Sequence, residues 1–172
     1  SRRWSLVAGV MLAAGLAGAK GARGAIDLNA EAAKMEGATG AEALAVRSAV
    51  LLAAPTDLMP RNDYGRKVAG AFGKVLLSKN VDAQVNTAIL FASLETLSLD
   101  STLEGMLKSG NPAVRYWGAK GLGDIMDTLK RVGGATMSAA ESALMSGMGE
   151  ETSGIVKRQM VVSLGKTGDA KS

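Results

Sequence analysis

NPAVRYWGAKGLGD, residues 111–124, is the stretch of sequence whose interpretation decides the fold. It carries helix-start signals, because Asn111 can act as the N-cap and Pro112 occupies the first helical position, where a missing N–H costs nothing. Its apolar and small residues then follow the helical i, i+3, i+4, i+7, i+8, i+11 spacing: Val114, Trp117, Gly118, Gly121, Leu122 and Ile125. The stretch therefore predicts a helix with one buried stripe.

The glycines inside this stripe predict that a neighbouring helix packs closely against it. Gly118 and Gly121 each cost roughly 1 kcal/mol of helix propensity relative to alanine, and close packing would compensate for that cost. The alternative is a phosphate-binding loop, which needs G-x-G-x-x-G between a strand and a helix. Here the order is G-x-x-G-x-G, ending at Gly123, and it follows a helix start. Packing is therefore the favoured interpretation.

The composition predicts an all-α protein. Hydrophobic residues make up 47% of the 172-residue chain and aromatic residues only 3%, so small and aliphatic side chains must fill the core. Much of the hydrophobic content is alanine and leucine, which are strong helix formers. No stretch alternates between apolar and polar residues with period two, so we predict no sheet.

Several classes of function are disfavoured by the residues present. The sequence has no histidine and no cysteine, which excludes thiolate nucleophiles, imidazole bases, disulfides and the usual zinc sites. The net charge is +4, of which Arg2 and Arg3 supply two, and this is weak for a nucleic-acid-binding protein. The spacing of Met145 and Met148 resembles that of some copper sites, but core filling is favoured. We predict no catalytic constellation, no cofactor, no metal site and no nucleic-acid partner.

Helix-start signals divide the remainder into further helices. The predicted caps are Asp27 or Asn29, Asp63, Asp82, Ser101 or its competitor Asp100, and Ser138, with Glu150 and Glu151 at the start of the last helix. Pro55 and Pro60 are expected to frame a loop. Together these signals predict helix pairs at about 27–54, 63–97, 100–127 and 138–165.

A pattern recurs on the second helix of each pair. VRYWGAKGLG (114–123) matches VKRQMVVSLG (156–165) at a valine, a following basic residue and a final Leu-Gly. The matching positions are Val46, Val85, Val114 and Val156; Arg47, Arg115 and Lys157, with Asn86 departing from the pattern; and Leu122-Gly123 and Leu164-Gly165. Helix pairs repeated every ~30–40 residues indicate an α-solenoid, a superhelix of about four pairs.

At these residues the chain resembles the HEAT repeats of bacterial proteins related to the phycobilisome-lyase HEAT-like family. The resemblance implies that Arg115, Arg47 and Lys157 face polar groups where adjacent repeats meet. It also implies that an aspartate after Leu-Gly, at Asp124 or Asp169, helps to fix a turn. LGKTGDAKS (164–172) resembles the lead into another repeat, so we expect the HEAT-like domain, 26–172, to be truncated at its C-terminus.

The N-terminal segment, 1–25, is predicted to be a signal-peptide helix that precedes this domain. Two arginines precede an apolar run from Trp4 to Ala19, and Ala17-Gly18-Ala19 has the small residues of a cleavage site. SRRWSL partly matches a twin-arginine signal, so the choice between the general secretory and twin-arginine routes stays open. A retained membrane anchor is the alternative. We therefore expect a protein exported to the periplasm, envelope or exterior.

The expected function is a non-catalytic scaffold that holds another protein on the concave face of the solenoid. One alternative is an enzyme or enzyme subunit that resembles the bilin lyases. A further alternative is a structural component of an envelope assembly. Contact with a membrane is expected only through the N-terminal segment, if it remains uncleaved.

Cleavage after Ala19 is the first testable prediction. The mature protein should begin at Lys20, because the small residues Ala17 and Ala19 fit the recognition site of a signal peptidase. Mass spectrometry of the N-terminus of the protein isolated from its native cells measures this. A cytoplasmic protein that keeps Arg2 and Arg3 would contradict it.

Overall fold

The protein is all-α, as predicted. The computed structural model describes residues 26–132 and 134–168, and within these ranges it contains helices and no strand. The α-helices are α1 (Leu28–Gly37), α2 (Gly40–Ala53), α3 (Leu58–Phe72), α4 (Val81–Ser93), α5 (Asp100–Met106), α6 (Pro112–Val132), α7 (Gly134–Glu150) and α8 (Gly154–Gly168), with 3-10 helices at Gly73–Leu77 and Leu97–Leu99. The predicted signal segment, with Ala17 and Ala19, and also Asp169 lie outside the described residues.

The helices pack as consecutive pairs in two layers. In one layer α2, α4, α6 and α8 contact one another in chain order. In the other layer α1 contacts α3, the 3-10 helix Leu97–Leu99 joins α3 to α5, and α5 contacts α7. Each odd-numbered helix also contacts the even-numbered helix that follows it. The apolar side chains that face the space between the layers form the core, including Met35, Phe72, Phe91, Leu103, Leu122 and Leu144.

The starts of α3 and α4 differ from the prediction. Helix α3 follows Asp57 rather than Asp63, so Pro60 lies in its first turn and not in a loop. Proline is tolerated there because the first N–H groups of a helix have no partner within it. Helix α4 follows Asn80, whose Oδ1 accepts the N–H of Ala83 at 3.2 Å. The predicted cap, Asp82, instead accepts the N–H of Gly40 at 2.9 Å and so joins α4 to the start of α2.

The two predicted capping boxes are wrong, because Ser101 and Ser138 both lie inside helices. Helix α5 begins at Asp100 with Leu99 in the cap position, so the competing cap Asp100 also lies inside the helix, where its Oδ1 accepts the N–H of Ser101 at 2.6 Å. Helix α7 begins at Gly134, where φ is +69°, a conformation that glycine adopts without strain. A capping box is a local signal, and in both cases the helix begins before it.

Helices α6 and α8 run further than predicted. Helix α6 passes through Asp124 without a turn and ends at Val132, because its buried stripe continues through Met126 and Leu129. Asp124 instead binds Lys120 within the helix, at 2.5 Å, and Lys166 of α8, at 3.2 Å. Helix α8 continues three residues past the predicted end at about 165, to Gly168, a second glycine at which the sequence also allows the helix to end.

The close approach predicted at Gly118 and Gly121 is present. A Cβ on Gly118 would lie 2.8 Å from Met106 Cβ and 2.9 Å from the carbonyl oxygen of Leu103. A Cβ on Gly121 would lie 2.6 Å from Leu103 Cδ2 and 3.1 Å from Ala92 Cα. The backbone of α6 therefore packs directly on α5 and α4. Trp117, placed in the same stripe by its spacing, is only half-buried.

Enlarging these glycines should destabilise the protein. Gly118→Ala forces a methyl group against a backbone carbonyl, and Gly121→Leu overpacks the contact with α4 and α5. Overpacking typically costs about 1–3 kcal/mol, which exceeds the roughly 1 kcal/mol that better helix propensity returns. Urea denaturation measures the free energy of unfolding.

The matched control is Gly70→Ala. Gly70 also lies inside a helix but is exposed, and a Cβ there meets nothing within 4 Å. This variant should be more stable than the parent by up to about 1 kcal/mol. Equal stabilisation by Gly118→Ala and Gly70→Ala would show that α6 is not packed as described.

Candidate binding groove

The turns that precede α4, α6 and α8 share one capping geometry. In each turn a side-chain oxygen accepts the backbone N–H of the residue two positions later: Ser78 from Asn80 at 3.0 Å, Ser109 from Asn111 at 3.2 Å, and Glu151 from Ser153 at 2.7 Å. Such side-chain turns fix the chain just before a helix. The three second helices thus begin in the same way, although their sequences differ.

This shared geometry aligns the helices differently from the sequence comparison. Three residues after the cap, α6 and α8 have the buried Val114 and Val156. The residue at the same position of α4 is Ala83, which is fully buried, whereas Val85 is half-buried. The next position holds Gln84, Arg115 and Lys157. Gln84 Nε2 donates to the carbonyl of Ser78 at 2.5 Å, just as Arg115 Nη1 donates to the carbonyl of Ser109 at 2.8 Å. The sequence comparison matched valines, and no valine stands at this position of α4.

Side chains from these turns join each loop to the next. Asn80 Nδ2 donates to the carbonyl of Ala38 at 2.7 Å, and Asn111 Nδ2 donates to Gln84 Oε1 at 3.0 Å. The third link, between Arg115 and Glu151, is an ion pair. We call these three links the loop ladder. It connects the loops and first helical turns at the starts of α2, α4, α6 and α8 along one edge of the structure.

The Arg115–Glu151 pair is the charged link of the ladder. Arg115 Nε donates to Glu151 Oε2 at 2.7 Å and Nη2 donates to Oε1 at 2.8 Å. The Glu151 side chain is only 1% exposed, and that of Arg115 is 18% exposed. The hydrogen bond from Arg115 lowers the pKa of Glu151 to about 2, against the opposing effect of burial, and backbone N–H groups of Ser153 and Thr152 add to the lowering. The same hydrogen bond raises the pKa of Arg115.

Sequence reasoning expected polar partners for Arg115 and missed the role of Glu151. The sequence predicts Glu151 at the start of α8, where a carboxylate interacts favourably with the helix dipole. It lies instead in the loop before α8. Among the positions matched to Arg115, Arg47 donates to Asn86 Oδ1 at 2.8 Å, and Lys157 is exposed. The one sequence feature that indicates the position of Glu151 in the loop is that it stands two residues before Ser153, whose N–H its side chain accepts.

A groove of about 910 Å³ lies between α5 and α7, beside the loop ladder. Its lining comprises Ser101, Glu104, Gly105, Leu107, Lys108, Ser109, Arg115, Ala139, Ser142, Ala143, Ser146, Gly147, Glu150 and Glu151. Nine of these fourteen residues are polar or charged, so the groove offers hydrogen-bond donors and acceptors along its length. Partial burial raises the pKa of Glu104, as does nearby Asp100, and Lys108 opposes the shift.

A second groove of about 620 Å³ lies on the opposite side of α5. Gly105, Lys108 and Ser109 line both grooves, and two ladder residues, Gln84 and Asn111, line the second. Helix α5 separates the two grooves. It is short, with 7 residues, whereas α7 has 17. The missing helical turns of α5 leave this part of the layer open.

The chemistry of the first groove suits recognition of polar chain segments. Hydroxyl, carboxylate and ammonium groups lie beside the aliphatic side chains of Leu107, Ala139 and Ala143.

Over 26–132 and 134–168, no group of three or more acidic, histidine or cysteine residues could hold a metal ion. No helix in those ranges is long and apolar enough to cross a membrane. Met145 is 61% exposed on α7 and so does not fill the core as predicted, whereas Met148 is half-buried.

The Arg115–Glu151 pair should make stability depend on pH in acid. Because the pKa of Glu151 is lowered from 4.5 to about 2, the folded protein binds fewer protons than the unfolded chain between these values. The stabilisation is therefore fully present above about pH 5 and is lost as the pH falls towards 2. Urea denaturation between pH 2 and 7 should show this slope in the parent and a flatter one in Glu151→Gln.

At neutral pH, Arg115→Ala should lower the free energy of unfolding by about 1.5–3 kcal/mol, the cost of a lost charged hydrogen bond. The matched control is Arg66→Ala. Arg66 pairs with Asp63, but both side chains are more than 60% exposed, and exposed pairs contribute about 0–1 kcal/mol. Equal effects of the two substitutions would show that Arg115 is not a structural link.

Comparison with known proteins identifies no relative. The chain matches no family model, no curated protein sequence and no solved structure. Its resemblance to HEAT-like repeats therefore rests on the residues quoted above, and what it implies about function is a proposal.

Proposed function

We propose that this protein is a non-catalytic scaffold of the α-solenoid type, built from four HEAT-like helix pairs, that is exported and holds another protein. The chain-order contacts of the two helix layers support the solenoid part of this proposal. The loop ladder supports it as well, because the same side-chain turn recurs before α4, α6 and α8. Repeats that contact only their neighbours produce extended surfaces, which such proteins use for binding.

The groove between α5 and α7 is the observation that carries the binding role. A small-molecule pocket is lined mainly by hydrophobic and aromatic side chains. This groove has no aromatic residue in its lining, and most of its lining residues are polar. A peptide segment can satisfy these groups with its backbone amides while its aliphatic side chains contact Ala139 and Ala143. The resemblance implies a partner on the concave face, and we propose the groove as the place where it binds.

Site-specific crosslinking tests this proposal. Ser142 and Ser146 are exposed and line the groove, whereas Ser138 is exposed on the same helix and lies outside the lining. A photoreactive residue at position 142, in protein expressed in its native cells, should capture one dominant protein, which mass spectrometry then identifies. The same residue at position 138 should capture much less.

Binding of the captured protein, once purified, provides the quantitative test. Ser146→Arg places a bulky charged side chain in the groove and should weaken binding at least tenfold. Ser138→Arg adds the same charge to the same helix and should leave the affinity unchanged. Equal affinity in both variants would contradict binding in the groove. Conversion of a small molecule by the purified protein would instead favour an enzyme.

A further inference from the structure

The outward side of α8 carries an apolar patch that resembles a surface buried elsewhere in the same protein. We define the end face as Ile155, Lys157, Arg158, Val161, Val162 and Gly165, all of which are exposed. The exposed fractions of Ile155, Val161 and Val162 are 73%, 53% and 50%. Three exposed aliphatic side chains on one helix exceed the scattered exposure expected of a soluble surface.

Internal comparison shows what kind of surface covers such a face. Val161 and Gly165 occupy in α8 the positions that Ala119 and Gly123 occupy in α6, when the helices are aligned on Val156 and Val114. In α6 these positions are buried, and α8 is the helix that covers them. The hydroxyl of Ser163 donates to the carbonyl of Ala119 at 2.7 Å, and a Cβ on Gly123 would lie 2.9 Å from Ser163 Cβ. By this comparison, the end face suits a helix that presents a small residue, as α8 presents Ser163 to α6.

Helix α2, the first of this layer among the described residues, presents such a surface with the complementary charge. Ala45 and Ala49 of α2 are exposed and lie on one side of the helix with Glu42, at the i, i+3, i+7 spacing. Glu36, at the end of α1, is exposed too. We define these four residues as the first face. It carries two negative charges, whereas Lys157 and Arg158 give the end face two positive charges.

Lys157 provides an independent indication of this pairing. It follows the buried valine of α8, the position that Arg115 holds in α6, and there the cation binds Glu151 in the loop before the next second helix. A further helix pair stacked on α8 would bring its own loop to Lys157. Glu36 lies next to the loop before α2. The first helix pair therefore offers an acidic group near the position, relative to Lys157, that Glu151 holds relative to Arg115.

We propose that a second copy of this chain docks its first face on the end face of α8, so that copies associate head to tail. The contact is heterologous: two different surfaces meet, and it therefore generates open chains or a closed ring rather than a symmetric dimer. This inference does not depend on what occupies the groove between α5 and α7.

Sedimentation equilibrium of the full chain over a concentration series tests the proposal. The weight-average mass should rise with concentration to at least twice the monomer mass of 17.5 kDa. Val161→Asp should reduce it to the monomer mass while circular dichroism and urea denaturation stay unchanged. Met59→Asp is the control, because Met59 is 75% exposed on α3 and belongs to neither face.

Charge reversal distinguishes head-to-tail association from other arrangements. Lys157→Glu and Glu42→Lys should each weaken association at least tenfold, and an equimolar mixture of the two variants should recover it. A symmetric contact between two copies of α8 would not respond to Glu42→Lys. A monomer at every concentration, association that survives Val161→Asp, or a mixture that does not recover would each overturn the proposal.

Discussion

The direct contact between the backbone of α6 and its neighbours is the constraint on which the rest of the structure depends. At Gly118 and Gly121 there is no room for a Cβ, because Leu103, Met106 and Ala92 occupy that space. Gly123 makes the same kind of contact with Ser163 of α8 on another side of the helix. Helix α6 therefore approaches α4, α5 and α8 at short distance. These close backbone approaches complement a core of buried aliphatic side chains in a protein with only 3% aromatic residues.

The close packing of the helices brings the loops before them together, and the loop ladder follows from this. An amide side chain from one loop reaches the next, and at the last junction a bidentate ion pair replaces the amide. Because the Glu151 side chain is almost fully buried, removing Arg115 would leave its carboxylate without a partner for its charge. The ladder therefore satisfies polar groups that the stacking of helices would otherwise leave buried without partners.

The grooves and the end face both follow from the stacking of helix pairs, but one results from a short helix and the other from an uncovered helix side. The grooves exist because α5 is short, which leaves the layer open on both sides of it. The end face exists because α8 has the surface that a stacked helix covers, as α8 itself covers α6. One feature offers polar groups suited to a partner of different chemistry, and the other offers an apolar surface suited to a like helix pair.

The sequence by itself determined the all-α class, the close packing at Gly118 and Gly121, and the start of α6 at Asn111 and Pro112. These features depend on local propensity and helical spacing, which residues 111–124 display without ambiguity. Only the tertiary structure decided the starts of α3, α5 and α7, the length of α6 and the partner of Arg115. The cap patterns at Asp63, Ser101 and Ser138 are local, and the structure places each of these residues inside a helix that begins earlier. Glu151 lies 36 residues from Arg115, and no local pattern links them; only the stacking of α6 and α8 brings the two side chains into contact.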